Sequence, residues 1–256
     1  IFISSENRPE WAIADLAIMA IGAVVVPSFV TNTIDDFTYI MAHSDAVLAI
    51  TSGGELARKV AAATQRVDGV DRLIIMDETD DLNAAGLQIL RWSDLIETAS
   101  PLADLEERMA GMAGDDVCCF IYTSGTGGRP KGVMLTHRSI QANIDAAIDL
   151  LADGGVAEDQ RFLSLLPLSH SYEHTAGMHL PFQTRSEVWY CESADQIANN
   201  LAEVAPTLMT AVPRLYEVLH DRITRGIKAK GGVSEKLFRA AVRIGIKQIR
   251  NERLSV

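Results

Sequence analysis

Between Tyr122 and His137 the chain reads Tyr-Thr-Ser-Gly-Thr-Gly-Gly-Arg-Pro-Lys-Gly-Val-Met-Leu-Thr-His, a stretch that concentrates groups able to bind a polyanion. Gly125, Gly127 and Gly128 free the backbone to turn successive N–H groups toward an anion. Thr123, Ser124 and Thr126 add hydroxyl donors, and Lys131 supplies a cation at the far end. Donors, a pliable backbone and one positive charge in so short a span suit a polyphosphate better than a bare glycine-rich hairpin. A Walker A loop needs Gly-Lys-Ser/Thr running into a helix; here Lys131 lies between Pro130 and Gly132, and Val133–Leu135 reads as a strand. The expected layout is strand, phosphate loop, strand, then a helix capped at Thr136 or Ser139.

A second cluster, His170-Ser-Tyr-Glu173-His174, fits the His-x-x-Glu-His spacing of inverted zinc peptidases. Two histidines four apart share a helix face and could hold zinc, with Glu173 as base. The motif opens on a Pro-containing strand-to-helix turn and no third ligand stands out downstream, so a zinc hydrolase is the remote alternative. His43, His179 and His220 show no partner in the sequence. Cys118 and Cys119 sit in an apolar run and read as packing thiols, and three cysteines suggest a reducing compartment without a disulfide framework.

These groups need a scaffold, and the flanking pattern supplies one. Strands are expected at Ile1–Ser4, Val24–Phe29, Ala46–Ile50 and Arg72–Met76. Helices are expected from Pro9 to about Ile21, near Asp35–His43 and near Glu55–Val67. Between Asp77 and Gly114 the pattern weakens to a short helix from Asp94, capped by Ser93, and a helix from Ser100-Pro101 to about Met112. Strands at Val117–Tyr122, Phe162–Leu166, Glu187–Cys191 and Leu208–Val212 follow. They alternate with helices near Ser171–Phe182, Ala194–Val204 and Arg214–Gly226, before a long amphipathic helix over Val233–Arg253. Apolar strands separated by helices predict an α/β fold of mostly parallel sheets covered by helices on both faces. A subdomain boundary is expected near 111–115.

Composition sets limits. With 48% hydrophobic and 22% charged residues the chain can build a sizeable core. A net charge of −11 with no basic block argues against nucleic acid. The most apolar run, Leu16–Val26, is too short for a spanning helix. The opening Ile1-Phe2-Ile3-Ser4 lacks an initiator Met and reads as the middle of a protein.

The 122–133 stretch resembles the signature of adenylate-forming (AMP-binding) enzymes, the group of acyl-CoA synthetases, luciferases and peptide-synthetase adenylation domains. Gly127 departs from it, standing where that family usually has Thr. Leu166-Pro-Leu-Ser-His170-Ser-Tyr-Glu173 is similar to a segment of the long-chain fatty acyl-CoA synthetases, and Glu203–Glu217 to the next block of that subgroup. Asn7-Arg-Pro-Glu-Trp11 and Gly22–Pro27 also fit, whereas Gln183-Thr-Arg-Ser lacks the usual Gly-Ala turn.

The resemblance implies two-step activation of a fatty acid, first to acyl-adenylate and then to acyl-CoA, with ATP, Mg2+ and CoA taking part. Thr123, Ser124, Gly125, Thr126, Gly127, Gly128 and Lys131 would bind ATP, with Lys131 and His170 catalytic. His170 would lie beside the substrate carboxylate, and Tyr216 at a gate to the fatty-acid tunnel. The resemblance also implies that residues 1–256 are only part of the N-terminal domain. The family's Tyr-Gly-x-Thr-Glu segment, acidic ribose ligand, hinge and C-terminal lysine have no counterpart here. Such a piece is expected to be inactive alone, and a non-catalytic nucleotide-binding or interaction module is the alternative. The expected location is cytoplasmic, with peripheral membrane contact or a homodimer both compatible.

Overall fold

The computed structural model describes residues 1–78, 82, 84–123, 128–153, 160–193 and 195–249. They form two compact units, Ile1–Thr210 and Ala211–Val256. In the first unit, strands β1 (Phe2–Ser4), β2 (Val26–Pro27), β3 (Ala49–Thr51), β4 (Arg72–Ile75) and β5 (Gln88–Arg91) make a parallel sheet in the order β2-β1-β3-β4-β5. Helices α1 (Pro9–Ala20), α2 (Ile34–His43) and α3 (Gly54–Thr64) connect its first four strands.

Pleating explains why helices cover both faces. Successive strand side chains point to opposite sides. Phe2 therefore joins a core with Phe37, Ile40, Val60 and Leu73 beneath α2 and α3. Its neighbour Ile3 joins Trp11, Ile18, Ile50 and Cys119 on the α1 side. Helix α1 starts with Pro9 in its first turn. Helix α2 is fixed by a capping box in which Thr33 and Asp36 exchange hydrogen bonds with each other's backbone N–H.

Strand β5 was not expected from the sequence; its exposed–half-buried–half-buried–exposed pattern gives little apolar signal on the sheet's edge. In the same weak region, α4 (Trp92–Thr98) begins at Arg91 without the expected Ser93 cap. The helix expected from Ser100 is only α5 (Leu105–Gly111).

Strands β6 (Val117–Thr123) and β7 (Lys131–Thr136) pair antiparallel. The pair is tied to the sheet where Val25 N–H donates to the Cys118 carbonyl (2.9 Å) and Phe120 N–H to the Val25 carbonyl (2.8 Å). Helix α6 (His137–Asp153) follows. Ser139 N–H donates to Thr136 Oγ1 (3.1 Å) and Thr136 N–H to Ser139 Oγ (3.0 Å), so the two residues named as cap candidates act together. A three-stranded parallel sheet then forms from β8 (Arg161–Ser164), β9 (Glu187–Tyr190) and β10 (Leu208–Met209), with β8 central. Helix α8 (Ile197–Val204) precedes β10.

The segment expected as one α-helix over Ser171–Phe182 differs. It is a π-helix over Glu173–His179 continuing into α7 (Leu180–Gln183). Where the sequence lacks a Gly-Ala turn, Arg185 takes a left-handed φ of 55° and β9 still forms.

The second unit holds α9 (Pro213–Lys230) and α10 (Gly232–Ile249); the expected end of the last helix at Arg253 lies outside the described residues. No helix among the described residues is long and apolar enough to cross a membrane.

Candidate active site

Loops leaving the C-terminal ends of β2, β6 and β8 line one cleft of about 310 Å³, with walls that include Ser28, Phe29, Tyr122, Thr123, Pro130 and His170. A crevice beyond the carboxyl ends of parallel strands is where open α/β sheets bind ligands. Two sequence-predicted residues from separate motifs, Thr123 and His170, thus share one cavity. Lys131 is the cross-strand partner of Thr123, so the cation and the hydroxyl face each other at the mouth of the loop. Gly128 has a φ of 121°, a conformation that side chains resist. Ser124, Gly125, Thr126 and Gly127 lie outside the described residues.

The loop's returning arm is anchored from α2. Tyr39 donates to the Pro130 carbonyl at 3.0 Å, and the Arg129 guanidinium lies 5.3 Å over the Tyr39 ring. His43, for which the sequence showed no partner, meets the Tyr122 hydroxyl at 2.8 Å. Burial pushes that phenol up to about 12, so it stays protonated. A Cβ on Gly132 would come 3.1 Å from the Tyr122 ring, so a side chain there would press on this anchor.

His170 is exposed at the cleft, and its Nδ1 accepts from the Tyr172 N–H at 3.2 Å. A hydrogen-bond chain sets its loop. The Asn7 side chain donates to Ser164 Oγ (3.1 Å) and the Leu166 carbonyl (2.7 Å), and accepts from Leu168 N–H (3.0 Å). Ser164 Oγ donates in turn to Glu173 (2.7 Å), which also accepts from Leu165 N–H and the Thr210 hydroxyl. Glu173 is fully buried; burial pushes its carboxyl up, opposed by the bonds from Thr210, Ser164 and Leu165.

This arrangement overturns the His-x-x-Glu-His reading. Glu173 is committed to Ser164 and Thr210, His170 faces the cleft, and His174 Nε2 is 2.9 Å from buried Asp15. The physical reason is that His170 stands ahead of the helix: its carbonyl accepts from the His174 N–H at 2.9 Å and its Nδ1 from the Tyr172 N–H, so its ring caps the helix start instead of sharing a helix face with His174. His174 instead packs against His179, ring centroids 4.7 Å apart, and burial pushes His179 down to about 4.

Sequence reasoning missed the roles of Asn7, Asp15 and Glu173. Asp15 did leave a signal, as the one charge beyond the first turn of an otherwise apolar helix. Tyr216 lies on α9 in the second unit, exposed, and is not among the residues lining the cleft. Cys118 and Cys119 are buried as expected, and burial pushes the Cys118 thiol up to about 11.

A family model for AMP-binding enzymes matches residues 1–245. The chain is 30% identical over 230 residues to the long-chain-fatty-acid–CoA ligase FadD15 of Mycobacterium tuberculosis, covering 86% of this chain and 36% of that protein. It is 29% identical over 240 residues to the peroxisomal long chain acyl-CoA synthetase 6 of Arabidopsis thaliana, covering 92% and 33%. It therefore spans about a third of the length of these relatives. Among solved structures, a benzoate CoA ligase from Burkholderia xenovorans superposes with a TM-score of 0.66 at 26% identity, covering 84% of this chain and 40% of that one. With the β6–β7 hairpin, the parallel sheets and the family match in agreement, this chain belongs to the AMP-binding enzyme family.

Proposed function

We propose that these residues form the phosphate-loop and carboxylate side of an ATP-dependent long-chain fatty acid–CoA ligase. The observation that carries this reading is the shared cleft, which sets the mouth of the polyphosphate loop beside His170. In the first step the fatty-acid carboxylate attacks the α-phosphorus of ATP, giving acyl-adenylate and pyrophosphate. In the second, the CoA thiol displaces AMP to form the thioester. No residue of the chain has to be a nucleophile, because both substrates bring their own. Catalysis then rests on positioning and on charge placed where it develops.

Lys131 and the donors of residues 123–128 hold the departing β- and γ-phosphates, with Lys131 balancing their charge. His170, held by the Asn7–Ser164–Glu173 chain, positions the reacting carboxylate. Tyr216 gates the acyl tunnel. Magnesium, when bound, would share the phosphate charge; the described walls of the cleft offer it hydroxyls from Ser28 and Thr123 but no carboxylate. The activity belongs to a longer protein that completes the adenine and ribose contacts and contains residues 1–256 as part of its N-terminal domain. A cytoplasmic location with peripheral membrane contact suits a ligase drawing on lipid-derived acids, and a homodimer is compatible with it.

The test is palmitate-dependent ATP–pyrophosphate exchange by the native-length protein. Exchange that requires palmitate and is lost in Lys131→Ala supports the reading. No exchange with any fatty acid in a folded protein would refute it in favour of a non-catalytic nucleotide-binding module.

A further inference from the structure

Away from the ATP cleft, three side chains converge and satisfy one another only in part. Asp15 of α1 and His174 of the π-helix are fully buried, and His179 is 12% exposed. Each offers a ligand atom within 4.8 Å of the other two. His174 Nε2 is 2.9 Å from Asp15 Oδ1, and His179 Nε2 is 3.5 Å from Asp15 Oδ2. Neither Asp15 Oδ2 nor His179 Nε2 has a hydrogen-bond partner, although both are buried. Orphaned buried polar atoms are costly, and two of them facing each other at this distance call for a common partner.

A zinc-class cation fits that gap. Two ligands about 2.1 Å from one ion at the tetrahedral angle stand about 3.4 Å apart, close to the 3.5 Å between His179 Nε2 and Asp15 Oδ2; His174 Nε2, at hydrogen-bond distance from Oδ1, would draw back to admit the ion. The backbone is arranged for it as well. His174 and His179 are five apart, which an α-helix would turn about 140° away from each other. The π-helical i to i+5 repeat brings both onto one face, and such segments are frequent at functional sites. His174 Nδ1 has no hydrogen-bond partner, so a cation on Nε2 replaces the bond to Asp15 and leaves the rest of the ring's contacts in place.

The entry path is a second cleft of about 770 Å³, lined by His179 together with His137, Asp145, Met19 and Gln183. Its open side leaves a fourth position for water or an incoming ligand. We infer that Asp15, His174 and His179 form a binding site for a divalent transition-metal cation of the zinc class, separate from the ATP cleft. An ion held there ties α1 to the π-helix directly behind the His170 loop. The inference does not rest on the ligase reading.

The test uses the native-length protein, stripped with chelator and then titrated with Zn2+ by calorimetry and with Co2+ by visible absorption. One equivalent is expected, with the intense absorption of four-coordinate cobalt. Asp15→Asn and His179→Gln should each weaken binding about tenfold or more. His179→Gln sits at the cleft wall and serves if the buried Asp15→Asn variant fails to fold. His170→Ala should leave the titration unchanged. The inference is overturned if no equivalent binds, if both Asp15→Asn and His179→Gln bind as the parent does, or if His170→Ala alone abolishes binding.

Discussion

Gly177→Ala is a one-carbon change with a large expected effect. A Cβ at Gly177 would lie 2.4 Å from Glu173 Cδ and Oε1, well inside contact distance. A carboxylate is ordinarily free to swing aside. This one is fully buried and bonded to Ser164, Leu165 N–H and Thr210, so moving it breaks bonds rather than exchanging them with water. Three bonds at about 1 kcal/mol each, offset by about 1 kcal/mol from alanine's better helix propensity, leave a net loss of about 2 kcal/mol. Strain from overpacking adds about 1–3 kcal/mol if the π-helix has to shift.

The assay is urea unfolding of the native-length parent, Gly177→Ala, Glu173→Ala and the double variant. Glu173→Ala has its own cost, since it orphans Ser164, Thr210 and the Leu165 N–H. With the carboxylate gone, however, the second change meets empty space. The double variant keeps alanine's gain of about 1 kcal/mol without losing the three bonds a second time, so it should be more stable than additivity predicts by about 3 kcal/mol. Additivity within about 0.5 kcal/mol, or a Gly177→Ala variant as stable as the parent, would refute the claim that Glu173 is held rigidly between β8 and β10.

Asn7→Ala removes three hydrogen bonds to the His170 loop and should cost about 2–3 kcal/mol by denaturant unfolding, while raising KM for the fatty acid more than it lowers kcat. Asn7→Asp should be no better, because it turns the donor to the Leu166 carbonyl into a second acceptor; full stability in either variant would remove Asn7 from its positioning role. Arg185→Gly relieves a left-handed φ of 55° and should raise stability by about 0.5–1 kcal/mol, with a correspondingly higher Tm. A lower Tm in that variant would mean that the arginine side chain contributes more than the strained backbone costs.

Much of this protein was legible in the linear chain. Apolar strand runs such as Arg72–Ile75 and helix starts such as Pro9 carry their own local signal, because hydrophobic periodicity and capping are short-range properties. The strand–loop–strand layout around Lys131 was equally legible, since its two arms, β6 and β7, carry their own local pattern, while residues 124–127 lie outside the described residues. Strand β5 was not, because an edge strand with half-exposed side chains has little pattern to read. Nor was the turn at Arg185, where a left-handed backbone is held without glycine.

What only the tertiary structure decided are the contacts between residues far apart in the chain. Asn7 reaches the loop after β8 across 157–161 residues, and Asp15 meets His174 across 159. Sequence spacing paired His170 with His174, because a helix is assumed to repeat every 3.6 residues. In the structure His170 precedes the helix and stays at the cleft, whereas His174, on the π-helical stretch, turns toward Asp15 and His179. Local sequence encodes which residues can do chemistry. Helix register and burial, set by long-range packing, decide which of them meet.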